Sequence, residues 1–187
     1  MKLVAAFVFL ACCASGEDRA VAPNVESTAC GPRDVKLEVK IDRSQHPTPA
    51  PPEGKALVYV VDQEIHDNIG VDGKWVGAND RGTYFFVAVD PGEHHLCAYA
   101  TYWGTSWLSL HSLQAKAGET YYFLPIPIAD GGRGGRYALD QLDPDEGRYL
   151  VSKARFGTAQ PKYAKRQAYG PGRQAGGCVT QLPASGE

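Results

Sequence analysis

The chain has 187 residues, with 19 Lys plus Arg against 21 Asp plus Glu and a formal net charge of −2; that length gives one domain enough chain to bury a core. Residues 17–157 hold 14 basic against 20 acidic side chains, a net of −6, whereas 158–187 hold four basic against one acidic, a net of +3. An acidic body with a mildly basic tail argues against nucleic acid as the main partner.

At the start, Met1-Lys2 precedes nine residues without a polar side chain, Leu3 to Ala11, and then Cys12, Cys13, Ala14, Ser15 and Gly16. A short charged region, an apolar run and small residues have the form of a signal peptide over residues 1–16. The apolar run is about half the roughly 20 residues that a membrane-spanning helix needs. Two ways of processing it stand. Phe9-Leu10-Ala11-Cys12 has the form of a bacterial lipobox, with Cys12 as the lipidated residue, and the small residues Ala14 to Gly16 suit ordinary signal-peptidase cleavage.

Residues 17–34 are polar and aperiodic and read as a tether. Val35-Lys36-Leu37-Glu38-Val39-Lys40-Ile41 alternates apolar and charged residues at period two, the pattern of a half-buried strand. Four prolines within residues 47–52 end it and predict a stiff, extended linker. Ala56 to Val61 is continuously apolar and β-branched or aromatic, the composition of a strand buried on both faces. Ile69-Gly70-Val71 and Lys74-Trp75-Val76 flank Asp72-Gly73, a dipeptide suited to a two-residue hairpin turn.

Thr83–Val89 predicts a further strand, and Pro91-Gly92 turns the chain into another over His94–Tyr99. Trp107–Ala115 and Thr120–Ile128 follow, separated by Ala117-Gly118-Glu119. Pro125 and Pro127 cannot donate to a neighbour, so that strand end lies at a sheet edge or beyond its pairing. Gly131 to Gly135 is a loop, and Tyr137–Leu142 a last short strand. Asp143-Pro144-Asp145-Glu146 combines an N-cap carboxylate, a proline at N1 and a Glu at N3, which predicts a helix of two to four turns. Gly147 is expected to weaken that helix by about 1 kcal/mol relative to Ala. Residues 158–187 have few large apolar side chains and predict a disordered Gly/Pro/basic tail. The expected fold is mainly β: an antiparallel β-sandwich or open barrel of about seven to nine strands over residues 35–157, with one short C-terminal helix.

Three cysteines follow the leader. In an oxidising compartment Cys30 and Cys97 are the favoured disulfide pair, since both lie in the part that reads as folded, which leaves Cys178 in the tail. The competing reading makes Cys97 a small buried apolar residue.

The order and spacing of Val71-Asp72-Gly73 with Val76-Gly77, Tyr84-Phe85, Val89-Asp90-Pro91-Gly92-Glu93-His94 with Leu96, and Ala117-Gly118-Glu119-Thr120-Tyr121-Tyr122-Phe123 resemble bacterial exported proteins grouped as domain of unknown function 2846. The resemblance spans roughly Lys55 to Phe156. It implies a small β-rich extracytoplasmic domain, often on a lipoprotein, with no established activity and no catalytic residue to carry over.

Two constellations are candidate sites. His94-His95-Leu96-Cys97, with His66 and His111, has metal-ligand chemistry, but alternation along a strand puts only His95 and Cys97 on one face, short of the three or four ligands of a zinc site. The alternative gives His94 a hydrogen bond beneath its turn and leaves His95 at the surface. Tyr99, Tyr102, Trp103 and Trp107 surround Gly104 and offer either a stacking platform for a sugar or a protein, or a cap on one end of the sandwich. Asp62, Glu64, His66 and Asp67 read as solvated loop residues. The sequence has no Gly-x-Ser-x-Gly, no His-Glu-x-x-His and no phosphate-binding glycine loop.

The expectation is a non-enzymatic binding or structural module without a cofactor, outside the cytoplasm in the periplasm, at the outer membrane or secreted. Its expected partner is an envelope protein or glycan, and its only expected membrane contact is a lipid at Cys12. The alternative from another class is a hydrolase or metal-dependent enzyme acting on envelope polymers through His94, His95 and loop aspartates.

Overall fold

The computed structural model describes residues 28–102, 104–129 and 135–162. The expected leader with Cys12, the expected tether up to residue 27, Trp103, residues 130–134, and the expected tail from 163 on with Cys178 lie outside the described residues. Among those described, ten strands form two sheets: β1 (Leu37–Asp42), β2 (Ala56–Asp62), β3 (Asp67–Val71), β4 (Lys74–Asn79), β5 (Thr83–Val89), β6 (Gly92–Tyr102), β7 (Thr105–Ala115), β8 (Thr120–Ala129), β9 (Gly135–Gln141) and β10 (Arg155–Pro161). One helix, α1 (Pro144–Lys153), lies between β9 and β10. The six-stranded sheet runs β1-β10-β5-β2-β8-β9 and the four-stranded sheet β4-β3-β6-β7.

The sheets are open and stack face to face, with no closed barrel. Period-two alternation sends Val58 and Val60 of β2, Phe85 of β5 and Phe123 of β8 to the interior, where they meet Ile69 of β3 and Leu96 and Ala98 of β6. The other side chains of β2, Leu57, Tyr59 and Val61, pack with Tyr84 and Tyr122 beneath Val151 and Ala154 of α1. Every residue of β2 is therefore buried, as its continuous apolar run predicts. At the hairpin between β3 and β4, Asp72 and Gly73 take positive φ angles of 51° and 78°, the conformation their dipeptide favours.

The helix starts as its sequence predicts, with the Asp143 carboxylate accepting from the Asp145 N–H at 2.8 Å and Pro144 at its first turn. The prolines at 125 and 127 sit on β8 past Phe123, where its ladder with β2 ends, so no strand on that side requires their missing N–H groups.

The structure departs from the sequence reading in five places. The strands number ten, because β10 follows the helix. The domain does not stop at residue 157: β10 runs to Pro161 and pairs with β1, from Asp42↔Phe156 to Leu37↔Pro161. Two ladders are parallel, β2 with β8 and β10 with β5, because β8 and β10 reach those strands by crossing between sheet positions rather than by tight hairpins. The proline segment is no free linker. It lies on the outer face of the six-stranded sheet, where Tyr59 and Tyr84 hydroxyls donate to the Pro49 and Pro47 carbonyls at 3.2 and 2.9 Å. Finally, the end of the supposed tether is packed, with Ala29 and Cys30 buried.

Candidate functional site: a basic, aromatic cleft

Cys30 and Cys97 are joined by a disulfide with Cα atoms 5.2 Å apart. Cys97 lies on β6, whose outward residues alternate with the core-facing Leu96 and Ala98, so the bond fixes the arm at residues 28–36 on the outer face of the four-stranded sheet. Gly70 of β3 makes this approach feasible, since a Cβ there would stand 2.7 Å from the Ala29 carbonyl oxygen. The arm is held further along by Trp75, whose Nε1 donates to the Pro32 carbonyl at 2.8 Å.

Where the arm lifts from the sheet a cleft of about 360 Å³ opens. Its floor comes from the sheet: Asn68 and Tyr99 are directly opposite each other on β3 and β6, and Trp75 stands beside them on β4, its ring 6.3 Å from that of Tyr99 at 47°. The two rings form a corner rather than a flat plate. The Tyr99 hydroxyl donates to Ser106 at 2.9 Å. Asn68 Oδ1 is shielded from solvent without a hydrogen-bond partner among the described residues.

The rim is basic. Arg33 and Lys36 come from the arm and Lys162 from the far end of β10. The last two are brought together by the β1–β10 ladder: its register extends one step past Leu37↔Pro161, and the Lys162 N–H donates to the Lys36 carbonyl at 2.8 Å. Two exposed ammonium groups thus stand opposite each other across a strand pair, an arrangement that costs stability. No ion pair within the described residues neutralises either. Glu38, the nearest acid on that face of β1, accepts from Gln160 at 2.8 Å. No Asp or Glu among the described residues lines the cleft.

The histidine cluster is dispersed. Both ring nitrogens of His94 are engaged, Nδ1 with Asp72 at 2.6 Å and Nε2 with the Asp90 carbonyl at 2.7 Å, which is the turn-bracing role. Burial opposes protonation of this ring, but the Asp72 and Asp90 contacts outweigh it and raise its pKa above the ordinary value. His95 is half-buried, Cys97 is consumed in the disulfide, His111 packs edge-on against Phe123, and His66 pairs with Asp80 at 2.8 Å. Among the described residues no three His, Cys, Asp or Glu side chains converge as a metal site.

The aromatic group is divided too. Tyr99 faces the cleft, whereas Trp107, opposite Ala100 on β7, packs against the interior with its Nε1 lacking a described partner. Strand alternation separates them onto opposite faces, so they form no common platform. Tyr102 lies at the end of β6 and Trp103 outside the described residues. Of the four, Tyr99 reaches the cleft, in company with Trp75 from another strand.

Asp62 and Asp67 are not solvated. Both are fully buried, at the end of β2 and the start of β3. Asp62 accepts from the Glu64 N–H at 3.0 Å and Asp67 from the Tyr137 hydroxyl at 2.8 Å, while Asp62 Oδ2 and Asp67 Oδ1 have no partner among the described residues. Burial pushes the Asp62 carboxyl up to about 6. The Asp67 carboxyl is pushed well above the ordinary carboxylate range by burial and then by the neighbouring Asp62 charge. This pair is sealed from solvent and is no surface site.

A second groove, about 470 Å³, lies between the proline strap and α1 over the stacked Tyr59 and Tyr122 rings, with Arg148 at its edge. Arg148 is already engaged with Asp145.

The cleft was not visible as a site in the sequence, because its residues come from five separate segments. The local signals were Tyr99, singled out as a stacking residue in the aromatic stretch around Gly104, and Lys36, a charge on the exposed face of an alternating strand. Compared with family models, curated proteins and solved structures, the chain matches none.

Proposed function

We propose that this protein is a non-enzymatic binding module of the cell envelope, working outside the cytoplasm through the cleft between the N-terminal arm and the four-stranded sheet. The observation that carries this reading is the composition of the cleft: three basic side chains and two aromatic rings with no acid among them, in a domain whose net charge is negative. Such a concentration of one sign attracts an anionic ligand and focuses its approach. The disulfide that fixes the arm belongs to oxidising compartments, in agreement with the leader. The resemblance to domain of unknown function 2846 supports the same placement. The competing hydrolase reading draws on His94, His95 and loop aspartates, and of these His94 has both ring nitrogens engaged in bracing a turn.

The test couples location to the cleft. Fractionation and mass spectrometry of the native protein should find it outside the cytoplasm, starting between Cys12 and Glu17; an intact Met1 to Ala11 segment overturns export. Envelope extract passed over the immobilised full chain should leave bound material that Lys36→Glu with Lys162→Glu no longer retains. Equal retention by both proteins removes the cleft from the function.

A further inference from the structure

Within that binding reading, we propose that the ligand is an acidic saccharide, a sugar chain carrying carboxylate groups, with a sugar ring in the Trp75–Tyr99 corner and its carboxylate at Lys36 and Lys162. The cleft makes three separate chemical demands, and this class meets all of them.

The first is an anion. Lys36 and Lys162 oppose each other across the β1–β10 ladder without an acidic partner among the described residues, and a carboxylate between them turns a repulsion into two attractions. The second is a hydrogen-bond donor. Asn68 Oδ1 is buried at the floor and lacks one, and leaving such an acceptor dry costs about 1–3 kcal/mol. Sulfate and the fully ionised forms of phosphate and carboxylate only accept. A sugar hydroxyl donates. The third is a flat apolar surface of saccharide dimensions. Trp75 gives its indole N–H to Pro32, so it offers the ligand ring surface only, and with Tyr99 it forms a corner that suits the C–H faces of a pyranose. The cleft, at about 360 Å³, is at the small end of the usual range for ligand sites and fits one or two sugar units, with the rest of the chain along the basic rim. An acidic peptide meets the first demand and, through its amides, the second, but brings no rigid apolar face to the corner.

Titration of the full-length chain followed by tryptophan fluorescence tests this with four oligomers: tetragalacturonate, a hyaluronan tetrasaccharide, the neutral maltotetraose and tetraglutamate. At least one of the two acidic saccharides should bind at least tenfold more tightly than maltotetraose and tetraglutamate. Lys36→Ser with Lys162→Ser should weaken it at least tenfold without lowering the thermal midpoint, since both side chains are exposed. Asn68→Ala should weaken the saccharide, and raising the salt should weaken it progressively. Equal binding of maltotetraose overturns the charge requirement. Equal binding of tetraglutamate overturns the saccharide. Tight acidic-saccharide binding that survives the double lysine substitution overturns the site. If neither acidic saccharide binds while retention of envelope material still depends on Lys36 and Lys162, this inference fails and the cleft reading stands; if retention is also indifferent to them, both fail.

Discussion

On the outer face of the six-stranded sheet, Tyr59, Tyr84, Tyr122 and Phe156 lie under α1 and the proline strap, ring against ring and with two hydroxyls donating to strap carbonyls. On the outer face of the four-stranded sheet, a single arm covers the disulfide and part of Trp75, and beyond it Asn68, Tyr99 and the lysines are left around a cleft. Both faces carry aromatic residues, but among the described residues the chain packed over the first is the more extensive. A recognition surface arises where a sheet face has apolar rings and polar groups that the fold itself does not finish covering.

The largest expected effect comes from freeing the arm. The disulfide closes a loop of 67 residues, which corresponds to about 4 kcal/mol by loop-closure entropy. Cys30→Ser with Cys97→Ser should lower the calorimetric midpoint by on the order of 10 °C. Tryptophan emission should shift to the red as Trp75 loses its cover. An unchanged midpoint would show that the arm is held by packing alone, as firmly as the strap on the other face.

The interior between the two faces responds to pH. Asp62 ionises near pH 6 in the folded protein against about 4 unfolded, and Asp67 is shifted in the same direction, so the native state holds more protons than the unfolded chain between those values. Stability from this source is greatest below about pH 4 and falls as pH rises through the folded pKa, by on the order of 3 kcal/mol for Asp62. Denaturant melts at pH 4 and pH 8 should show that loss, and Asp62→Asn should reduce it. A domain that grows more stable over the same interval excludes the buried pair as its dominant titration.

Ending the chain after Gly157 removes the β10 partners of Leu37 to Lys40. The expected loss is about 2 kcal/mol, read as a lower midpoint by several degrees. It should open the cleft side and leave the strap side intact. A chain ending after Lys162 should melt within about 2 °C of the full length.

On the closed face, Gly147→Ala tests how tight the cover is. Helix propensity alone forecasts a gain of about 1 kcal/mol. A Cβ at that position would meet the Tyr122 ring closely enough to force a shift, so a net loss of about 1–2 kcal/mol is expected by chemical denaturation. A gain would show that the helix cover yields easily. The smallest effect belongs to the open face: Lys36→Ser with Lys162→Ser should change stability by less than about 1 kcal/mol, in the stabilising direction, because a cross-strand repulsion is relieved. A clear loss would mean that the two ammonium groups already have work within the fold.

Sequence pattern alone carries the β class, most strand positions, the β3–β4 turn, the helix start and the burial of β2 on both faces, each by a local rule of period, turn chemistry, capping or composition that acts over a few residues. The pairing of Cys30 with Cys97 is favoured on a broader ground, that both lie in the part of the chain that reads as folded. Tertiary packing sets the rest: β10 returns to β1, Asp62 and Asp67 are buried, Gly147 is needed under Tyr122, Tyr99 and Trp107 part company and Lys36 meets Lys162. Those outcomes depend on register and on which face meets which, and a residue's own neighbours in sequence carry no record of either. The cleft is the clearest case: Lys36 and Lys162 are separated by almost the whole domain, and one step of strand register makes them a pair.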